Sequence, residues 1–369
     1  MIIRNQYLNL PKESMKIFTV VGARPQFIKA AVVSRAFKER RPDVSEILVH
    51  TGQHYDVNMS GVFFEELNIP RPTHNLGVGG GTHGQNTGRM LEGLEALMLA
   101  ESPDWVLVYG DTDSTLAGAL AAAKLNIPLA HVEAGLRSFN RRMPEEINRV
   151  LTDHMAAMLF APTELARTNL RNEGIEEKKI HVVGDVMYDA ALFYKEHACK
   201  PSWFDALEIA QNEFVLCTVH RPENTDDPKR MQAIFDGLES AALPVVLPLH
   251  PRTRNKLRQM GMELPANINV VDPVGYLGMV WLEANCKLVA TDSGGVQKEA
   301  YFHQKPCVTL RDETEWVELV DRKVNQLTGA SATKIKNAIQ RAFFPATETS
   351  LYGIGKTAQN IIEKLVLEK

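Results

Sequence analysis

The chain has little of what marks a cross-linked, membrane-spanning or nucleic-acid-binding protein. Its 369 residues hold four cysteines, Cys199, Cys217, Cys286 and Cys307, with no CxxC pair and no regular spacing. That scatter argues against a disulfide framework or a structural zinc site, so no metal is expected and a reducing compartment fits. No apolar run nears the ~20 residues of a membrane span, so no membrane insertion is expected. Positive charge is not in excess either: the net charge is −4 and the pI about 6.3. Without a broad basic surface, nucleic acid and anionic lipid are poor partners, and an anionic ligand must be gripped locally. Residues 1–14 lack the apolar stretch of a signal peptide. They read as a loosely held N-terminal extension before an alternative start at Met15, and a cytoplasmic location is expected. Repeats of solenoid period and low-complexity tracts are also missing.

What is present is ordinary globular composition, 44% hydrophobic and 23% charged, over a length that favours two cores. Short apolar runs alternate with helical patterns throughout: Ile17–Val21, Ile47–His50, Val106–Tyr109, Leu129–Val132, Met158–Ala161 and His181–Val183, then Phe214–Val219, Val245–Leu249, Ile268–Val271, Leu288–Ala290 and Cys307–Leu310. Continuous apolar strands separated by helices imply parallel sheets covered on both faces. The expected fold is α/β, two Rossmann-like doubly wound domains around a cleft. The division falls shortly after Gly184-Asp185, giving an N-terminal domain over 15–185 and a C-terminal domain over 186–352. Tyr194–Glu213 suits a connecting region. Residues 353–369 carry Ala358, Ile361, Ile362, Leu365 and Val366 at helical spacing, which suits a terminal helix packing back across the junction.

Nucleotide fingerprints come next. Gly79, Gly81 and Gly84 satisfy G-x-G-x-x-G, but that motif needs a strand before it and a helix after it. Here Pro70, Pro72 and Asn75 precede it, and the stretch reads as a loop. Gly355-Lys356-Thr357 mimics the tail of a P-loop, yet Ser350 stands where its first glycine belongs. Better placed is Gly22-Ala23-Arg24-Pro25, directly after the first strand, with Pro25 suited to a first helical turn. Arg24 and Lys29 would then face the crevice where open parallel sheets bind ligands. Asp292-Ser293-Gly294-Gly295 repeats this logic after Leu288–Ala290. Ser293 can cap a helix, and the glycines let phosphate oxygens approach backbone N–H groups.

Carboxylates gather at other strand ends. Asp111 follows Val106–Tyr109, and Glu133 follows Leu129–Val132. Neighbouring strands lie about 5 Å apart, so the two acids share a crevice if their strands are neighbours. Pro144-Glu145-Glu146-Ile147-Asn148-Arg149 opens a helix, with Glu145 and Arg149 on one face, a spacing equally suited to a plain helix salt bridge. Three acids converging on one rim suit proton transfer. His220 ends the strand Phe214–Val219.

Together, Arg24-Pro25 with Lys29, Gly110-Asp111-Thr112, His131-Val132-Glu133-Ala134-Gly135-Leu136-Arg137, Pro144-Glu145-Glu146-Ile147-Asn148-Arg149 and Asp292-Ser293-Gly294-Gly295 resemble the non-hydrolysing UDP-N-acetylglucosamine 2-epimerases. The resemblance runs from about Met15 to the C-terminus, with the motifs in the same order. It implies a glycosyltransferase-B-like fold, a UDP-sugar in the cleft, no redox cofactor, and a homodimer. Epimerisation in this family eliminates UDP as C2 loses its proton, leaving a 2-acetamidoglucal, and then re-adds UDP with protonation on the other face. By resemblance Asp111, Glu133 and Glu145 are the acid/base residues, and Lys29, Arg149 and His220 support the substrate and the leaving diphosphate. Arg24, Gln53, His54 and Arg137 fall on the substrate side. Ser293, Gly294 and Gly295 are implied to bind phosphate, and Glu299 the ribose hydroxyls.

Departures from the family pattern are Gln26 for a glutamate, Val219 and Pro222 around His220, and Trp316 for an arginine after Arg311-Asp312-Glu313-Thr314-Glu315. These variants resemble the branch acting on UDP-2,3-diacetamido-2,3-dideoxy-glucuronate, which supplies lipopolysaccharide O-antigen sugars. Some members are activated by substrate at a second site near Gln53 and His54. The unusual Gly77–Gly84 loop beside that region argues against carrying this regulation over. UDP-N-acetylglucosamine stays open as the substrate, and the rivals are a glycosyltransferase of the same architecture, a hydrolysing variant releasing free sugar plus UDP, and a UDP-sugar-binding regulator without catalysis.

Overall fold

The computed structural model describes residues 14–53, 64, 67, 69–345 and 351–367. Within these the chain divides into two compact units, one of residues 1–186 with 356–369 and one of 187–355. In the first unit, β1 (Lys16–Val21), β2 (Ser45–His50), β3 (His74–Asn75), β4 (Trp105–Tyr109), β5 (Leu129–Val132), β6 (Met158–Ala161) and β7 (Ile180–Val182) form one sheet. Its order is β3-β2-β1-β4-β5-β6-β7. In the second, β8 (Val215–Thr218), β9 (Val245–Pro248), β10 (Ile268–Val271), β11 (Leu288–Thr291), β12 (Cys307–Thr309) and β13 (Asn325–Leu327) take the order β10-β9-β8-β11-β12-β13. The strand pairs in both sheets are parallel.

Both faces of each sheet are covered because successive side chains alternate sides. In the second unit Val215, Cys217, Val245 and Leu247 join one core cluster. Their neighbours Phe214, Leu216 and Val246 join another, with Phe204, Trp281 and Leu282. The segment read above as a connector thus contributes Phe204 to this core, its ring 4.8 Å from Trp281 and 5.3 Å from Phe214. Cys217, Cys286 and Cys307 are buried and Cys199 is exposed, all four as free thiols. Burial pushes the Cys307 thiol up to about 12. The terminal helix, Thr357–Leu367, lies in the first unit against the helix Arg24–Arg40. Asn360 donates to the Val183 carbonyl at 3.2 Å.

Three elements depart from the sequence expectations. The strands β3 (His-Asn) and β13 (Asn-Gln-Leu) carry no apolar run, and pairing with a neighbour alone makes them strands. The glycine-rich stretch is a loop only as far as Thr82: a helix runs over His83–Glu101, with Gly84 in its first turn. Glycines at 84, 88 and 93 lower its intrinsic helix propensity. A capping box of Thr82 with Gln85 starts it, and that box was the legible signal.

In each sheet the strand order reverses once, between β1 and β4 and between β8 and β11. Ligands of open α/β sheets bind beyond the carboxyl ends of the strands at such a point.

Candidate active site

At the first reversal, β1 runs into Gly22, where a β-carbon would lie 2.0 Å from Ser114 Oγ and 2.2 Å from Thr51 Oγ1. Only glycine fits. Gln26 is wholly internal: its Oε1 accepts from the Gly22 and Ala23 amides at 2.8 and 3.0 Å. Its Nε2 donates to the Tyr109 carbonyl at 2.7 Å and to Thr115 Oγ1 at 2.9 Å. An amide can do both, whereas an ionised carboxylate only accepts, which explains glutamine at this position. The strut fixes the helix that carries Arg24, half-buried at its first residue, and Lys29, 7% exposed.

Tyr109 and Val132 are paired across β4 and β5, so the acids that follow leave the sheet side by side. Glu133 adopts φ +72, a left-handed conformation costing a non-glycine residue about 1–3 kcal/mol. Its carboxylate pairs with Lys29, both side chains 9% exposed. Asp111 pairs with Arg149, whose other amino group donates to Glu146 at 2.9 Å. Burial disfavours the Arg149 cation, but Asp111, Glu146 and Glu133 outweigh it and raise its pKa. A β-carbon on Gly110 would stand 3.3 Å from Lys29 Nζ and 3.4 Å from Glu133 Oε2. Asp111, Glu133, Lys29 and Arg149 therefore form one cluster. Arg149 takes Glu146 as its helical partner rather than Glu145, which is exposed in the first turn. Glu146 is buried and accepts from the Ser138 and Phe139 amides at 3.0 and 2.9 Å, bracing the loop between Glu133 and Glu145.

Behind this cluster, His131 donates from Nε2 to the Gly110 carbonyl at 2.7 Å and faces Asp153 with Nδ1 at 2.7 Å. Asp153 also accepts from the Gly135 amide at 3.1 Å and meets Arg137 at 2.7 Å. Burial would raise its pKa, but His131 and Arg137 hold it below the usual carboxylate range. Arg137 is buried between Asp153 and Glu173, 2.7 Å from each. That position makes it a brace for the Glu133 loop, apart from the Asp111–Glu133 cluster. Gln53 accepts from Ser114 Oγ at 2.6 Å, tied to the start of the helix Asp113–Lys124. His54 lies outside the described residues.

At the second reversal, Asp292 is fully buried and gathers the turn after β8. It accepts from the His220 and Arg221 amides at 3.1 and 3.0 Å and from Asn224 at 3.1 Å. His220 directs Nδ1 to the same carboxylate at 3.1 Å, with its side chain 52% exposed. Burial would raise the Asp292 pKa, and His220 leads the contacts that lower it instead. Ser293 caps the helix Gly294–Phe302, accepting from the Val296 amide at 3.4 Å. Gly295 is exposed and Glu299 half-buried on that helix. His220 after β8 and Ser293, Gly294 and Gly295 after β11 thus lie at two neighbouring strand ends, joined through Asp292.

The braces Gln26, Glu146, Asp153 and Asp292 were not singled out from sequence as site residues. Gln26, Glu146 and Asp292 lie in stretches quoted above, but the contacts that make each of the four a brace are set only by the fold.

The family model described as UDP-N-acetylglucosamine 2-epimerase matches residues 36–366. The chain is 55% identical over 358 residues, covering 95% of it and 99% of the relative, to the UDP-2,3-diacetamido-2,3-dideoxy-D-glucuronate 2-epimerase of Pseudomonas aeruginosa. It is 44% identical over 368 residues, 96% of this chain and 100% of the relative, to the UDP-N-acetylglucosamine 2-epimerase of Methanocaldococcus jannaschii. The crystal structure of the Methanocaldococcus jannaschii enzyme with UDP-GlcNAc and UDP superposes with a TM-score of 0.82, covering 96% of this chain and 100% of that one at 43% identity. These likenesses extend over nearly the whole length and include both strand-end sites. The chain belongs to the UDP-N-acetylglucosamine 2-epimerase family.

Proposed function

We propose that this protein is a non-hydrolysing 2-epimerase of a UDP-N-acetylhexosamine-type sugar, with UDP-2,3-diacetamido-2,3-dideoxy-D-glucuronate as its substrate. The observation that carries the reaction is the pairing of Asp111 with Arg149 and of Glu133 with Lys29 at the ends of adjacent strands. The 55% identity to the Pseudomonas aeruginosa enzyme supports the choice of sugar. A C2 hydrogen with no adjacent ring carbonyl is too weak an acid for simple deprotonation. In this reading a carboxylate takes that proton while the C1–O bond to the diphosphate breaks. The C–H electron pair becomes the C1=C2 double bond, and the C1–O pair leaves on UDP. On return a diphosphate oxygen attacks C1 and a second acid protonates the other face of C2. Asp111, Glu133 and Glu145 are the acids for these transfers, with Lys29 and Arg149 tuning the first two. His220, Ser293, Gly294 and Gly295 hold the diphosphate, Glu299 the ribose, and Arg24, Gln53, His54 and Arg137 complete or brace the substrate side. A homodimer, a cytoplasmic location and a role in lipopolysaccharide O-antigen synthesis belong to the same reading and rest on the family likeness.

Turnover in deuterated water tests it. The epimer should carry deuterium at C2 only, with UDP-sugar retained and no acceptor required. Unlabelled epimer would exclude the elimination route, and free sugar plus UDP would point to a hydrolysing enzyme instead. A product formed only with an added acceptor would favour a glycosyltransferase instead.

A further inference from the structure

Trp316 stands where the family pattern has an arginine, and no role in the reaction above absorbs it. Its indole is 7% exposed, and Nε1 donates to the Gly294 carbonyl at 2.8 Å. The face of the ring lies 4.4 Å from Nζ of Lys298, which sits one helical turn beyond Gly294 and is itself buried. The indole therefore grips one helix at two points, by a hydrogen bond and by a cation–π contact. Its own segment is tied down as well. Thr314 donates to the buried Gln297 at 2.8 Å, and Arg311 pairs with Glu315 at 2.7 Å.

The carbonyl of Gly294 and the amide of Gly295 belong to one planar peptide unit. A donor bound to the oxygen at one end fixes the direction of the N–H at the other. Glycine has the widest backbone freedom of any residue, and Gly294 and Gly295 open the helix Gly294–Phe302, so the indole adds a side-chain tie at the least constrained residues of that helix. A β-carbon on Gly294 would lie 2.2 Å from Glu315 Oε1, so a side chain there would push the Glu315 carboxylate aside.

We propose that Trp316 is a positioning residue for diphosphate binding: its indole N–H locks the Gly294–Gly295 peptide so that the Gly295 amide is held ready for a phosphate oxygen. This rests on the reading that the Ser293-Gly294-Gly295 turn binds the diphosphate.

The test is Trp316→Phe, which keeps an aromatic face for Lys298 and removes the donor together with the five-membered half of the indole. UDP affinity is measured by calorimetry beside KM, kcat and the melting temperature. Loss of one hydrogen bond that orients a binding group predicts about three- to tenfold weaker UDP binding. KM should rise by the same factor, with a smaller fall in kcat and little change in melting temperature. If wild type fails to bind UDP, the diphosphate reading itself falls. If wild type binds and Trp316→Phe binds equally well, the positioning role is overturned. Should the variant fold poorly, protein labelled with 15N-tryptophan carries four indole signals. UDP should shift the Trp316 signal, identified by selective loss in Trp316→Tyr, and an unmoved signal at saturation would equally overturn the proposal.

Discussion

Asp111 and Glu133 are each held by a buried cation, and that pairing separates their two possible roles. A carboxylate that only stabilises the fold would cost stability when neutralised, because Arg149 or Lys29 would be left buried without its counter-charge. Breaking a buried pair from one side costs about 3–5 kcal/mol. An isosteric amide retains a hydrogen-bond acceptor for the cation and loses part of that amount. Asp111→Asn and Glu133→Gln are therefore expected to remain folded, to lose turnover by about 100-fold or more, and to keep UDP affinity within a few fold. Parallel measurement of kcat and UDP binding checks this. Equal losses in both would assign the acids to structure alone. The family departure at Gln26 finds its reason at the same scale: a side chain that must donate and accept at once has to be an amide.

The loop after β5 shows how elements hold such residues in place. Gly135 has φ +81, and a β-carbon there would lie 2.4 Å from the Ala166 carbonyl oxygen. Its own amide donates to Asp153. Gly135→Ala therefore meets both a left-handed backbone and a backbone clash that no rotamer relieves. A loss of about 2–4 kcal/mol is expected, read as a lower urea midpoint, with activity falling because Glu133 is two residues away. A variant as stable as wild type would show that the loop can relax. The helix Arg24–Arg40 uses the opposite device, an internal strut rather than a tight turn, to set Lys29 against Glu133.

Each unit has its own sheet and core, so the protein carries more than one pH dependence of stability. In the first unit Asp153 lies below its ordinary value, and the stability it adds is present above the carboxylate range and lost as pH falls. In the second unit Glu283 and His303 lie 3.6 Å apart, both side chains 1% exposed, at a spacing that would suit an ion pair. Burial works against both charges. Burial raises Glu283 well above 4.5, helped by Glu299, and lowers His303 to about 3, helped by Lys195 and Lys305. None of their four polar side-chain atoms makes a hydrogen bond among the described residues. A carboxyl raised in the fold adds stability below its unfolded value and loses it as pH rises. A histidine lowered in the fold loses stability as pH falls from 6.5 toward about 3. Between about 4.5 and 6.5 the two trends oppose each other, and above that window Glu283 acts alone. Wild-type stability should therefore decline as pH rises above 6.5. Glu283→Gln should abolish that slope in urea titrations, and an unchanged slope would sink the assignment.

Most strands and the strand-end motifs were legible in the amino-acid order, because a buried parallel strand must be a continuous apolar run and its ligand-bearing residues follow it directly. His74–Asn75 and Asn325–Leu327 were not, since their strand character comes from the neighbour they pair with. Asp111, Glu133, Lys29 and Arg149 could be named from sequence, but which acid met which cation could not. Glu146 rather than Glu145 facing Arg149, and Arg137 turned inward to Asp153, were decided by packing. A buried charge must take the counter-charge that the fold brings within reach, and that distance exists only once the strands are side by side.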